Sequence, residues 1–105
     1  MDGERAAAEY LIKQGYEVLE RNFRYGRAEI DLIVKRKNWL VFVEVKTRAG
    51  SAFGFPEDFV DRQKEENIFR AAEEYMYKVD WKGNVRYDII SILRDEIKHF
   101  EDAFY

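Results

Sequence analysis

The sequence predicts an α/β fold, a mixed β-sheet flanked by helices. Three observations carry this. Two stretches repeat apolar residues at helical spacing: Ala7, Ala8, Leu11 and Ile12 near the start, and Phe59, Val60, Ile68, Ala71, Ala72, Tyr75 and Met76 past the middle. Five stretches rich in valine, isoleucine and aromatics read as strands, and the first three are joined by turns short enough to favour an antiparallel meander. The second helix lies between strands three and four and is long enough to cross over and return a parallel strand. The order is therefore α-β-β-β-α-β-β, and a length of 105 residues suits one domain over 1–105.

The first helix is expected from Asp2 to Gln14. Asp2 suits the N-cap, Glu4 meets the positive end of the helix dipole, and Gly15 ends the helix. Strand one is Tyr16 to Phe23, with Glu17, Glu20 and Arg21 blurring its alternation. Arg24-Tyr25-Gly26-Arg27 turns the chain, Gly26 supplying the unusual dihedral. Strands two and three, Ala28 to Val34 and Trp39 to Lys46, flank a basic turn at Lys35-Arg36-Lys37-Asn38. Thr47 to Pro56 is a loop carrying the only proline. The long helix runs from about Glu57 to Lys78, with Glu57 and Asp58 at its positive end. Strand four is Val85 to Leu93, and a turn at Arg94-Asp95-Glu96 leads to a short strand at Ile97 to Phe100. Ala103, Phe104 and Tyr105 are expected to dock on the body.

Hydrophobic residues make up 47% of the chain and charged residues 37%, so a core and a heavily ionised surface are both expected. The net charge of −3 argues against a broad basic nucleic-acid surface. The absence of cysteine rules out disulfides, thiolate metal sites and cysteine nucleophiles. The charged, amphipathic start is unlike a signal peptide, and no apolar run approaches a membrane span, so a cytoplasmic protein without membrane contact is expected.

The chemistry concentrates between Ala28 and Arg48. Side chains two apart on a strand share a face, which groups Glu29 with Asp31 and Glu44 with Lys46. Val41, Val43 and Val45 are placed on the other side, as are Ile30 and Leu32. Strands this apolar are buried, and buried carboxylates require a metal or a cation. Mg2+ (or Mn2+) takes oxygen ligands from one or two carboxylates and keeps several waters. Asp31 and Glu44 are the expected ligands, the Val45 backbone carbonyl a third oxygen, and Lys46 the group that orients water or balances charge on a phosphoryl group. Taken alone, Glu-Val-Lys at a strand end more often means a solvated face with a cross-strand ion pair. The combination of acids on two adjacent apolar strands raises the metal reading above that background.

These residues carry a resemblance. Asp31, twelve residues, then Glu44-Val45-Lys46 is similar to the pattern of the PD-(D/E)xK nuclease superfamily, the restriction-endonuclease-like fold. More closely, the chain resembles the YraN-type family of small bacterial proteins. The matching pieces are GERAAAEYLIKQGYEVLERNFR, AEIDLIVKR, VFVEVKTR, FGFPEDFV with Lys64 following, VRYDIISI and HFEDAF. The resemblance implies that Asp31 and Glu44 bind metal and that Lys46 is catalytic. It implies that Glu4 falls on a first-helix acid used beside the metal in archaeal Holliday-junction resolvases of similar build. Lys64 falls on a position that is basic in many relatives; flanked by Val60 and Ile68, it reads first as a structural salt bridge and second as an active-site residue. Ile30 replaces the superfamily's proline, and Ala28 replaces the usual glycine before Glu29.

The function so implied is a metal-dependent endonuclease hydrolysing phosphodiesters in DNA, at branched or structured sites. The alternative is a non-catalytic nucleic-acid-binding or protein-interaction module that keeps the fold. Arg27, Arg48 and Lys64 are candidate phosphate contacts, within a loop cluster that also holds Arg24, Lys35, Arg36 and Lys37. Tyr25, Phe53 and Phe55 are candidate stacking platforms, although the two phenylalanines are better read as loop anchors. Arg86 and Asp88 share a strand face and read as a structural pair, while His99 is assigned no chemistry. A homodimer is a further expectation, because nucleases of this type that cut two strands often pair.

Overall fold

The computed structural model describes residues 3–48 and 62–104. The elements are α1 (Gly3–Lys13), β1 (Glu17–Tyr25), β2 (Ala28–Arg36), β3 (Trp39–Arg48), α2 (Arg62–Val79), β4 (Asn84–Leu93) and β5 (Glu96–Phe100). They form one five-stranded sheet in the order β1-β2-β3-β4-β5. The β1/β2, β2/β3 and β4/β5 pairs are antiparallel, and β3/β4 is parallel. The expected α/β order and the single crossover are both present. Asp2, the start expected for the second helix at Glu57, Phe53, Phe55 and Tyr105 lie outside the described residues.

The first two hairpins are tighter than the sequence indicated. Pairing continues to Tyr25↔Ala28 and Arg36↔Trp39, which leaves two-residue turns in place of four. Gly26 has φ 61° and Lys37 φ 56°, the left-handed backbone whose twist matches the flanking strands. Helix α1 ends as expected: Gly15 has φ 93°, and the Tyr16 amide donates to the Leu11 carbonyl at 3.0 Å.

The two helices cover opposite faces of the sheet. Ala6, Ala7, Ala8 and Leu11 of α1 pack on Leu32, Val34, Val41, Val43 and Ile90. The run of alanines lets the helix backbone approach the sheet closely. Ile12, expected in that stripe, is instead 52% exposed, because the alanine face has rotated it out of contact. On the other face Ile68, Ala71, Ala72 and Tyr75 of α2 pack on Ile30, Ile33, Leu40 and Phe42.

Ile30 and Leu32 were expected on one face, yet Ile30 belongs to the α2 layer and Leu32 to the α1 layer. The alternation breaks at Asp31. Between the pairs Arg21↔Leu32 and Phe23↔Ile30 lies Asn22, with φ 53°. A second irregularity sits at Leu19, skipped between the Val18↔Val34 and Glu20↔Ile33 pairs. Only the Leu19 irregularity shifts the register as a bulge does; the interruption at Asn22 keeps the register, and Asp31 lies where the faces of β2 change.

A buried polar network ties β4 to its surroundings. Asp88 is fully buried and accepts from Arg86 Nε at 2.9 Å, His99 Nε2 at 2.6 Å and the Asp102 amide at 3.0 Å. Arg86 also donates to the Tyr16 hydroxyl at 2.6 Å. Arg86 and Asp88 are the structural pair read from the sequence. His99 is not idle: it bridges Asp88 and the Tyr10 hydroxyl, so it closes β5 onto β4 and α1. Ala103 is buried, with its amide on the Tyr87 carbonyl at 2.8 Å, so the chain end docks as expected up to Phe104.

Candidate metal centre

Strands β2 and β3 pair from Arg36↔Trp39 to Leu32↔Val43 and then part. Asp31 and Glu44 are the first residues beyond the last pair. Opening a ladder strands backbone groups that need partners. The Val45 amide finds one in Asp31, donating to Oδ2 at 2.7 Å. The N–H and C=O of a strand residue leave on the same side, so the Val45 carbonyl also faces this gap. Strand β3 stays paired with β4 through Arg48↔Leu93, so the gap has one rigid wall.

Glu44 is only 6% exposed, and Lys64 Nζ of α2 lies 2.5 Å from its Oε2. Burial, reinforced by the hydrogen bond to Glu44, pushes the Asp31 carboxyl up to about 8. Burial also acts to raise Glu44, but the Asp31 hydrogen bond and the Lys64 ammonium outweigh it and hold Glu44 below its ordinary value. Without a metal, one proton is thus held between two carboxylates, on the Asp31 side. Lys46 is lowered by burial and by the neighbouring Lys64. Burial opposes ionisation of Lys64 too, yet its ion pair with Glu44 raises it overall.

The expected residues are distributed unevenly. Asp31, Glu44, Lys46 and Lys64 form one interacting group, with the Val45 backbone beside it. Glu4 is near enough for its charge to raise Asp31. With the Asn22 amide turned to donate, Asn22 Nδ2 lies 2.6 Å from Glu4 Oε1. Asn22 was invisible to sequence reasoning, because its role depends on the left-handed backbone opposite Asp31. A pocket of about 170 Å³ opens here, lined by Arg27, Glu29, Asp31, Glu44, Lys64 and Asn67. Arg27 therefore faces the site. Arg48 is half-buried at the end of β3 and is not among the residues lining this pocket. Glu29 is paired with Arg24 at 3.1 Å.

The donor set fits a small hard cation. Among the described residues no three acidic or histidine side chains converge into a complete cage. Mg2+ does not require one: one or two carboxylates with waters and substrate oxygens suffice. A buried carboxyl that keeps its proton beside an ionised partner is one from which such an ion would displace that proton. The pocket has room for several waters at ~30 Å³ each.

Residues 3–92 match the model of "Uncharacterised protein family UPF0102". The chain belongs to this family. A UPF0102 protein of Cytophaga hutchinsonii is 43% identical over 95 residues, covering 90% of this chain and 84% of the relative. Relatives in Flavobacterium psychrophilum and Persephonella marina are 44% and 43% identical, each covering 98% of this chain and 90% of their own length. The UPF0102 match spans α1 through most of β4, and so includes Glu4, Asp31, Glu44, Lys46 and Lys64. No helix among the described residues is long and apolar enough to cross a membrane.

Proposed function

We propose that this chain is a metal-dependent endonuclease that hydrolyses phosphodiester bonds in DNA, at branched or structured sites. The observation that carries the reading is the gap between β2 and β3, where Asp31 and Glu44 converge beside two lysines. Asp31, Glu44 and the Val45 carbonyl would hold Mg2+ or Mn2+. A divalent ion supplies an activated water and neutralises charge on the phosphoryl group. Lys46 extends from the same strand face as Glu44 and would orient the attacking water or stabilise charge developing on the phosphorus oxygens. Lys64 keeps Glu44 ionised and oriented. Arg27, at the pocket rim, would hold a phosphate. Cutting both strands of a junction would use two such sites, and so a homodimer.

The test is cleavage of four-way, nicked and single-stranded DNA by purified protein with Mg2+ or Mn2+. Cleavage abolished by Asp31→Ala, Glu44→Ala and Lys46→Ala is the expected result. No cleavage of any of these substrates, or full activity of Asp31→Ala, defeats the reading. One observation favours the alternative, a nucleic-acid-binding or protein-interaction module with an idle site: Lys64 already neutralises Glu44 without a metal. Calorimetry separates the two, because an idle site would take up no Mg2+, or would take it up equally after Glu44→Ala.

A further inference from the structure

The pocket at the metal centre is one end of a longer groove. It shares Arg27, Ala28 and Asn67 with a second pocket of about 200 Å³. That pocket in turn shares Tyr25 and Arg70 with a third, of about 320 Å³, which ends at Tyr77. One wall is the β1–β2 turn. The other is a single stripe of α2: Lys64, Asn67, Arg70, Glu74 and Tyr77 follow one another at intervals of three or four residues, which places them on one helix face. From Lys64 to Tyr77 the helix rises ~20 Å.

We propose that this groove binds one unpaired DNA strand and leads it to the metal centre. The inference deepens the nuclease reading by naming its substrate class, and depends on it only for what becomes of the bound strand. Three features favour a single strand. Tyr77 is 85% exposed and Tyr25 47%, so both rings are accessible for unstacked bases to lie on, as bases within a duplex cannot. Neither Arg27 nor Arg70 forms an ion pair with a carboxylate among the described residues, so both are available to phosphates. Glu73 and Glu74 line the far pocket, where their charge disfavours a phosphate backbone, so that end suits the exposed bases of a single strand rather than a duplex with its two phosphate backbones. At ~3.4 Å per stacked nucleotide the groove takes about six nucleotides.

The experiment is fluorescence anisotropy with a labelled oligothymidine of about twelve nucleotides, twice the groove's span, and a duplex of equal length. A chelator prevents cleavage, so binding is read apart from hydrolysis. The single strand should bind more tightly than the duplex. Tyr77→Ala should weaken single-strand binding roughly five- to a hundredfold, and Tyr77→Trp should retain it. Arg70→Gln should reduce the slope of log affinity against log salt by about one. Tyr77 is too exposed for its replacement to disturb folding. Equal or tighter duplex binding, or Tyr77→Ala binding like wild type, overturns the proposal. A protein that binds this way yet cleaves nothing in Mg2+ supports the groove and sinks only the hydrolysis. A protein that cleaves while Tyr77→Ala binds unchanged sinks only the groove.

Discussion

Replacing Asp31 with asparagine keeps the side chain's shape and removes its charge. The amide oxygen can still accept from the Val45 N–H, and the amide nitrogen can donate to Glu44 where the trapped proton now does. In metal-free buffer the folded protein holds that proton up to about pH 8, whereas the unfolded chain releases it near the ordinary value of 3.8. The unfolded state therefore binds fewer protons across that window, and stability falls as pH rises through it. At ~1.36 kcal/mol per unit the full shift sets a ceiling of about 6 kcal/mol. Asp31 is half-buried at an open rim, where solvent screens part of the effect, so about 1–3 kcal/mol is the expected penalty. Urea denaturation with a chelator present should find Asp31→Asn more stable than wild type by that amount near pH 8. The gain should vanish below about pH 3, under the unfolded value of 3.8, where both states of the wild type are protonated. Mg2+ at about a hundred times its dissociation constant should then stabilise wild type by ~2.7 kcal/mol and leave the variant unmoved. A variant less stable than wild type near pH 8, or a gain that does not grow with pH, refutes the argument.

Two further substitutions probe the neighbouring charges. Asp88→Ala strands Arg86, whose side chain is 12% exposed, and should destabilise by about 3–5 kcal/mol in urea. Burial works to raise Asp88, but His99 and Arg86 hold it below its ordinary value, so its contribution is present above the ordinary carboxylate range and is lost as pH falls through it. A loss under about 1 kcal/mol would show that the network is not a structural anchor. Lys64→Met should destabilise by about 1–2 kcal/mol without metal, reduced from a fully buried pair because Lys64 is 40% exposed. Thermal melts with saturating Mg2+ should narrow that difference, since the ion takes over the neutralisation of Glu44. A difference that widens would place Lys64 on the side of the metal rather than in competition with it.

What the sequence made legible was what depends on local pattern. Alternating valines, helical stripes and Gly15 act within a few residues, so the element order and, Ile12 apart, the described part of both helix faces could be read from them. The turns were read too long because residues such as Lys37 take φ 56°, which the neighbouring strands impose rather than the residue type. His99 looked isolated because its partners, Asp88 and Tyr10, lie eleven and eighty-nine positions away.

The centre divides along the same line. Asp31, Glu44 and Lys46 could be picked out because two adjacent strands fix their spacing. Lys64 was read as a structural salt bridge or a phosphate contact without its partner being named, because its grip on Glu44 depends on how α2 crosses the sheet. The largest departure, the face break at Asp31, has the most consequence. Strict alternation would pair Asp31 across from Glu44 in an unbroken ladder. The β2/β3 ladder instead ends at Leu32↔Val43, near the left-handed backbone at Asn22, and the Val45 amide donates to the Asp31 carboxylate. A regular strand would keep that ladder closed and leave no gap for the proposed ion, so the irregularity is what the proposed chemistry would rest on.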